Sequence, residues 1–134
     1  MIVGEAATDG SGVISTVAYA YNGRFESAFT ATLPGTATYT SASHNLGVNP
    51  RVAKLVIENT TTELGYAVGD QITEGHLSTY STSYVSVPIV SSAKTIGFQT
   101  SASTSLHANT RTTGVPGALT LASWKYGFVA DRGW

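Results

Sequence analysis

The chain of 134 residues contains no cysteine, only one methionine, and few charged residues, which make up 11% of the total. Without cysteine there can be no disulfide framework, no thiolate nucleophile and no cysteine-ligated zinc site. Long hydrophobic runs are also missing, since none approaches the roughly 20 apolar residues that a membrane-spanning helix requires. Thiol chemistry, disulfide stabilisation and membrane insertion are therefore not predicted.

Clusters of basic residues are absent as well. The seven lysines and arginines are scattered singly, and the formal net charge is −1. Because neutralising phosphates requires Lys and Arg to be grouped on one surface, nucleic acid is not an expected partner. The opening residues MIVGEAATDG lack a basic segment followed by an apolar one. No secretory signal peptide is therefore predicted, and synthesis in the cytoplasm is expected.

The residues that are present indicate β-structure. Short runs rich in Val, Ile, Tyr, Phe and Thr alternate with clusters of Gly, Pro, Asn and Ser, and no apolar pattern of helical period is sustained. This is typical of an all-β sandwich or barrel. We predict a single domain over residues 13–134, preceded by a Gly-rich arm, residues 1–12, that is flexible or serves as a docking strand. Large apolar residues are scarce, so oligomerisation is expected to complete the core.

The clearest predicted unit is a hairpin around Asn22-Gly23, because this dipeptide favours a tight type I′ turn between two strands. A two-residue loop would pair the strand before Asn22 with the strand after Gly23. It would place Phe25 on the core side. Tyr19 and Tyr21 would then lie on the opposite side as a candidate exposed binding surface, facing solvent or a neighbouring subunit.

Further strands are predicted along the chain, with bounds 36–41, 51–58, 84–90, 94–100 and 123–130. The last one aligns Trp124, Tyr126 and Phe128 at period two, and these are candidate core or subunit-contact aromatics. Pro88 cannot donate a ladder hydrogen bond, so its strand is expected at a sheet edge or a bulge. Residues 101–114 have no clear period and are predicted to form a long loop.

The stretch ELGYAVGD, residues 63–70, could be a phosphate loop, a metal site or a turn. A phosphate loop needs Lys after its last glycine, but Gly69 is followed by Asp70, whose charge would repel phosphate. The nearby acids are spaced too irregularly for a calcium loop. A turn is therefore predicted, in which Gly65 and Gly69 adopt backbone angles that a side chain would disfavour, Tyr66 packs over the turn and Asp70 accepts hydrogen bonds from nearby amides.

No catalytic constellation is visible in the sequence. His44, His76 and His107 lie about thirty residues apart, and none has a partner at metal-ligand spacing. No nucleophile-elbow motif is present, and eight acids scattered along the chain do not indicate a glycosidase pair. We predict that the chain is not an enzyme and that it uses no cofactor or metal.

Two segments carry a family resemblance: SHNLGVNPRVAKLVIENTTTELGYAVGD, residues 43–70, and LTLASWKYGFVA, residues 119–130. They resemble a domain of small structural proteins of tailed bacteriophages, found in tail fibres and other virion appendages. In that domain a His-x-Leu-Gly-x-x-Pro turn precedes an apolar strand, a Gly-Tyr-x-x-Gly-Asp turn follows, and a terminal strand begins near Trp-Lys. The matching positions are His44, Leu46, Gly47, Pro50, Gly65, Tyr66, Gly69, Asp70, Trp124 and Lys125.

The order of the strands is also similar to that of H-type lectins. An apolar strand follows Pro50, a second contains TIGF at residues 95–98, and a final strand begins at Trp124. This resemblance implies an antiparallel β-sandwich that assembles as a trimer. Such lectins bind sugars at subunit boundaries, but no sugar-contacting residue can be matched to a position in this chain.

Together these observations predict a structural component of a bacteriophage virion, located in a tail fibre, a head decoration or another appendage. It would act by protein–protein assembly. Its expected partners are copies of itself, with which it would form a trimer, and other virion proteins. The alternative is a carbohydrate-binding or host-receptor-binding adhesin module of a phage fibre, with a host-surface glycan as its ligand. This alternative predicts a shallow pocket rimmed by exposed aromatic residues.

Overall fold

A computed structural model describes residues 4–8, 14–19, 23–73, 77–79, 85–102 and 106–133. Apart from a short 3-10 turn, Leu121–Ser123, the named elements in these ranges are β-strands. In chain order they are β1 (Gly4–Thr8), β2 (Ile14–Tyr19), β3 (Arg24–Glu26), β4 (Ala31–Thr32), β5 (Tyr39–Ser43), β6 (Val52–Asn59), β7 (Gln71–Thr73), β8 (Leu77–Thr79), β9 (Val85–Ser86), β10 (Ile89–Ser91), β11 (Thr95–Gln99), β12 (Leu106–Asn109), β13 (Pro116–Ala118) and β14 (Trp124–Asp131). All of their pairings are antiparallel, so the predicted all-β antiparallel class is confirmed.

A five-stranded sheet forms the largest layer, with the order β3-β14-β6-β7 and with β4 also paired to β14. Its two longest strands, β6 and β14, pair along their whole length from Trp124 opposite Asn59 to Asp131 opposite Val52. Because side chains alternate between the faces of a strand, Leu55 lies on the core side and Lys54 on the outer side. The charged positions of β6 thus lie on the outer face, together with Val52 and Val56.

A three-stranded sheet, with the order β10-β11-β5, packs its inner face against the five-stranded sheet. The fully buried Phe98 of β11 carries this contact. Its ring centroid lies 5.4 Å from that of Tyr126 and 5.9 Å from that of Phe128, in an edge and a tilted arrangement, respectively. These geometries are favourable for aromatic pairs, and they join the two sheets through the terminal strand.

A four-stranded sheet, with the order β13-β12-β8-β9, corrects the prediction of a long loop over residues 101–114. Strand β12 lies in that interval, and its Leu106 and Ala108 are almost completely buried. The alternation in this strand is too short to indicate a period, because His107 separates only two apolar residues in a run of four. The strand predicted over residues 84–90 is divided around Pro88 into β9 and β10, which lie at the edges of different sheets.

The predicted hairpin at Asn22-Gly23 is wrong in its pairing. Strand β2 pairs with β1, where Tyr19 lies opposite Gly4, and β3 pairs with β14, where Glu26 lies opposite Val129. A non-local partner, the terminal strand, therefore takes the place of the nearest neighbour in sequence. Since β1 falls within residues 1–12, part of the predicted arm is a strand that pairs with the predicted domain.

The apolar side chains of the three larger sheets meet in one core. Its buried members are Leu33, Leu46, Leu55, Ile57, Ile72, Val87, Ile96, Phe98, Leu106, Ala108, Leu119, Trp124, Phe128 and Ala130. Among the described residues, no helix is long and apolar enough to cross a membrane.

Candidate functional site

The turn between β6 and β7, residues 63–70, has the backbone that its glycines permit. Gly65 has a φ of 80° and Gly69 a φ of 90°, and the preceding Leu64 also has a positive φ of 52°. Glu63 and Tyr66 exchange two backbone hydrogen bonds, of 3.2 and 2.9 Å, which close the first half of the turn. Positive φ is disfavoured for residues with a side chain, so neighbouring contacts must hold Leu64 in place.

Glu63 provides one such contact, because its carboxylate accepts hydrogen bonds from two other parts of the chain. The Trp124 indole Nε1 donates to Oε2 at 2.6 Å, and the backbone amide of Thr120 donates to Oε1 at 2.9 Å. Trp124 itself is fully buried at the start of β14. The Glu63 carboxylate therefore fixes the terminal strand to the turn.

Asn59, at the end of β6, fixes the other side of the turn from a buried position, with 1% of its surface exposed. Its Nδ2 donates to the Tyr66 carbonyl at 3.1 Å, while its Oδ1 accepts from the Thr61 amide at 2.8 Å. Both ends of the amide are thus used, as expected for a buried polar side chain. Its place directly after an apolar strand is the sequence signal that marks Asn59.

Tyr66 and Asp70 connect the turn to the four-stranded sheet. The Tyr66 ring lies edge-on to Trp124, with centroids 5.7 Å apart, and its hydroxyl donates to the Asn109 carbonyl at 2.8 Å. Asp70 Oδ2 accepts from the Ala67 amide at 2.9 Å and from Arg111 at 2.8 Å. With its acids occupied in this way, the turn is suited to holding sheets together and offers no cradle for an anion.

The turn around His44 is held in a similar manner. His44 is 4% exposed; its Nε2 lies 3.0 Å from the Ser92 carbonyl, and its Nδ1 accepts from the Leu46 amide at 3.3 Å. The Leu46 amide beside Nδ1 and the Ser92 carbonyl beside Nε2 give both ring nitrogens a partner within the chain. Leu46 is buried, Gly47 has a φ of 72°, and the half-buried Pro50 precedes β6.

The aromatic residues of the terminal strand lie within the chain. Trp124 and Phe128 are buried, and the partly buried Tyr126 packs against the same core. Tyr126 and Phe128 are themselves in edge contact, with centroids 5.7 Å apart. These side chains contact the turn at residues 63–70 and Phe98 of the facing sheet, which gives each of them an intramolecular partner.

The outer face of the five-stranded sheet contains an open groove of about 490 Å³. Its apolar wall consists of Phe29, Val52, Val56 and Val129, and its charged rim consists of Arg24, Glu26, Lys54 and Asp131. Arg24 lies 2.7 Å from Glu26 and 3.8 Å from Asp131. No partner of Lys54 is present among the described residues. The groove is therefore a shallow surface of mixed sign, without the convergence of like groups that a charged small ligand requires.

The exposed binding surface expected at Tyr19 and Tyr21 stays a prediction. Tyr21 lies outside the described residues, and of Tyr19 only its strand position opposite Gly4 is described. Tyr39 of β5, however, is 49% exposed on the outer face of the three-stranded sheet. No pattern within the sequence singles out Tyr39, because its surroundings come from β10 and β11, about fifty residues further along the chain.

Metal-ligating side chains do not gather in the described part of the chain, where no group of three or more His, Asp or Glu could hold an ion. His44 is used in its own turn, and His76 lies outside the described residues. Comparisons of the chain with protein-family models, curated proteins and solved structures gave no match. The arrangement of the described surfaces is therefore the basis for assigning a function.

Proposed function

We propose that this chain is a structural subunit of a bacteriophage virion that acts by protein–protein assembly. In this proposal it is an antiparallel β-sandwich that forms trimers with copies of itself and contacts other virion proteins. The packing of the three-stranded sheet on the five-stranded sheet through Phe98 supports the sandwich. The observation that carries the assembly role is the composition of the groove on the outer face of the five-stranded sheet.

That face combines exposed apolar surface with balanced charge. The strand registers place three basic and three acidic residues on it: Arg24, Lys54, Lys125, Glu26, Glu58 and Asp131. Val52 lies among them with 40% of its surface exposed. Because the charges cancel, two copies that approach through this face do not repel each other, and a strongly charged ligand gains nothing there. A neighbouring protein surface, here another copy, is the partner that suits it.

The scarcity of large apolar residues supports the same conclusion. Covering Val52 and the open walls of the groove with a neighbouring subunit removes apolar surface from water, at about 25 cal/mol per Å². A chain with few large apolar residues gains a large fraction of its stability in this way, as subunits of obligate oligomers do. The similarity of the strand order to that of H-type lectins supports the trimeric state, and the resemblance of the two turn segments to phage appendage domains supports the virion location.

Light scattering on the purified chain tests the assembly. We expect a mass of three subunits of 13.9 kDa each at micromolar concentration. Lys54→Glu unbalances the outer face and should weaken association by about tenfold or more, since like charges in an interface are strongly unfavourable. Lys94→Glu is the matched control, because it makes the same charge change in the exposed turn between β10 and β11.

A folded monomer of the full chain at these concentrations contradicts the assembly role. Equal effects of Lys54→Glu and Lys94→Glu would place the interface elsewhere and contradict the assignment of this face. Mass spectrometry of purified virions from the source that encodes the chain tests the location. The chain should copurify with particles in a fixed ratio to the other virion proteins, and its restriction to the soluble fraction would contradict a structural role in the virion.

A further inference from the structure

We propose that the outer face of the three-stranded sheet is a binding site for a neutral glycan, with Tyr39 as the ring on which a sugar stacks. The site is separate from the groove on the five-stranded sheet and does not depend on the assembly role. It gives the adhesin alternative a specific location, different from Tyr19 and Tyr21.

The position of the Tyr39 ring is fixed by the strand beneath it. A Cβ placed on Gly97 would lie 2.7 Å from the Tyr39 hydroxyl and 2.6 Å from the Thr40 carbonyl oxygen. The ring therefore extends across β11 in space that a side chain at position 97 would otherwise fill. With about half of its surface still exposed, Tyr39 covers the glycine on one side and faces solvent on the other. An aromatic side chain held against a sheet is a preformed stacking platform, since it loses little conformational freedom on binding.

The Tyr39 ring has one exposed apolar side chain near it and several hydroxyl-bearing side chains around it. Val90 of β10 lies directly opposite Gly97, on the side of β11 away from β5. Its side chain is 48% exposed. Ser41 lies opposite Gly97 on β5, and Ser43 lies opposite Thr95. Neither the two serine hydroxyls nor the Tyr39 hydroxyl has a hydrogen-bond partner among the described residues, so all three are available to a ligand.

The charge of this face selects the class of ligand. Its outward positions on the three strands are Tyr39, Ser41, Ser43, Val90, Thr95, Gly97 and Gln99, none of which is charged. The nearest charged side chain in sequence is Lys94, in the turn that precedes β11. A neutral sugar presents apolar C–H groups on the face of its ring and hydroxyls around its edge. Those two features match an exposed aromatic ring bordered by Ser and Thr hydroxyls.

NMR titration of the isotope-labelled full chain tests the proposal. The probes are a panel of uncharged oligosaccharides, including maltohexaose and N-acetylchitohexaose, with a polygalacturonate oligomer as the anionic comparison. We expect at least one neutral sugar to shift the amide signals of Val90, Gly97 and Gln99, with a dissociation constant of about 1 mM or tighter. The polygalacturonate oligomer should leave these signals unchanged, because the face has no fixed positive charge.

Substitutions at Tyr39 separate stacking from a merely structural role. Tyr39→Ala should weaken sugar binding by about tenfold or more, the loss expected for one aromatic contact. Tyr39→Phe keeps the ring and should retain most of the binding. Val115→Ala, at another exposed apolar position, is the control and should bind like the parent chain. Thermal unfolding of each variant shows whether the fold is retained, and Tyr39→Phe keeps the test valid if the alanine variant is unstable.

Three results would overturn the proposal. The first is the absence of shifts around Gly97 with every neutral sugar in the panel. The second is sugar binding that is unchanged in a folded Tyr39→Ala variant. The third is a change in oligomeric mass in Tyr39→Ala without a change in sugar binding, since it would make this face a subunit contact. Lys54→Glu, in turn, should alter the mass and leave sugar binding intact, so failure of the assembly role and failure of the glycan site can be distinguished.

Discussion

Two polar regions of this molecule differ in what their hydrogen-bonding groups contact. In the turn at residues 63–70, the side chains of Glu63, Tyr66 and Asp70 each bind another part of the same chain, over distances of 2.6–2.8 Å. On the outer face of the three-stranded sheet, the hydroxyls of Tyr39 and Ser41 have no partner among the described residues. The first region holds the fold together, and the second remains open to a ligand.

The comparison shows that residue type alone does not tell which polar groups of this chain are engaged within it. The turn contains the acids, the aromatic ring and the glycines that suggest a site, yet their hydrogen bonds are satisfied internally. The open face is composed of serine, threonine, valine and one tyrosine, which suggest no chemistry in a linear sequence. Satisfied polar groups contribute to stability, whereas unsatisfied groups at the surface cost nothing in water and can be offered to a partner.

The largest effect that would test this distinction is expected from Asn59→Ala. The substitution removes both hydrogen bonds of a buried amide and leaves the Tyr66 carbonyl and the Thr61 amide without that partner. The free energy of unfolding should fall by about 2–3 kcal/mol, as for other buried groups that lose their partners. Chemical denaturation measured at equilibrium checks the value.

Asn49→Ala is the matched control for this substitution. Asn49 accepts a hydrogen bond from Ser91 at 2.7 Å, but both groups are at the surface. Water can replace the lost bond there, so the change should stay below about 0.5 kcal/mol. Equal losses of unfolding free energy in the two variants would mean that the hydrogen bonds of the turn contribute no more to stability than those at the surface. The distinction between the two regions would then fail.

A smaller loss is expected from Glu63→Gln, which keeps the shape of the side chain. The carboxylate accepts from Trp124 at Oε2 and from the Thr120 amide at both oxygens, at 2.9 and 3.2 Å; an amide keeps only one acceptor oxygen and therefore loses the shorter of the two Thr120 bonds. Unfolding free energy should decrease by about 1–2 kcal/mol. Glu26→Gln is the control, since Glu26 forms an exposed pair with Arg24, and such pairs contribute about 0–1 kcal/mol. A larger effect at Glu26 than at Glu63 would contradict the structural role of the turn.

The sequence predicted the features that depend on neighbouring residues. The glycines and the Asp at residues 63–70 indicate a turn because the required backbone angles and the Asp-to-amide hydrogen bond are local. Alternation in β6 and β14 likewise indicates strands, and the all-β antiparallel class follows from it. Strand pairing could not be predicted in the same way from neighbouring residues. Asn22-Gly23 favours a local hairpin, but β3 pairs with β14, about a hundred residues away. The hydrogen bonds of the large sheet therefore outweigh the local preference of the turn.

The candidate glycan site lay beyond sequence reasoning for the same reason. Tyr39 gains its position from Gly97, and Val90 completes the surface from a third strand. No pattern within one strand records which residues will share a sheet face with residues of another strand. The tyrosines that the sequence favoured, Tyr19 and Tyr21, belonged to a hairpin whose predicted pairing is wrong. Their predicted outward orientation rests on that pairing, so the surface at these two tyrosines stays a prediction.

The smallest expected effect on stability, and the most informative for the open face, comes from Ser41→Ala. Its hydroxyl has no partner among the described residues, so its removal should change the unfolding free energy by less than about 0.5 kcal/mol. If a sugar hydroxyl binds there, the same substitution should weaken binding of the neutral oligosaccharide by about two- to tenfold, the contribution of one neutral hydrogen bond. Denaturation and the NMR titration measure the two quantities on one sample. A variant that loses stability but not sugar binding would show that this hydroxyl belongs with those of the turn, and the contrast between the two regions would no longer hold.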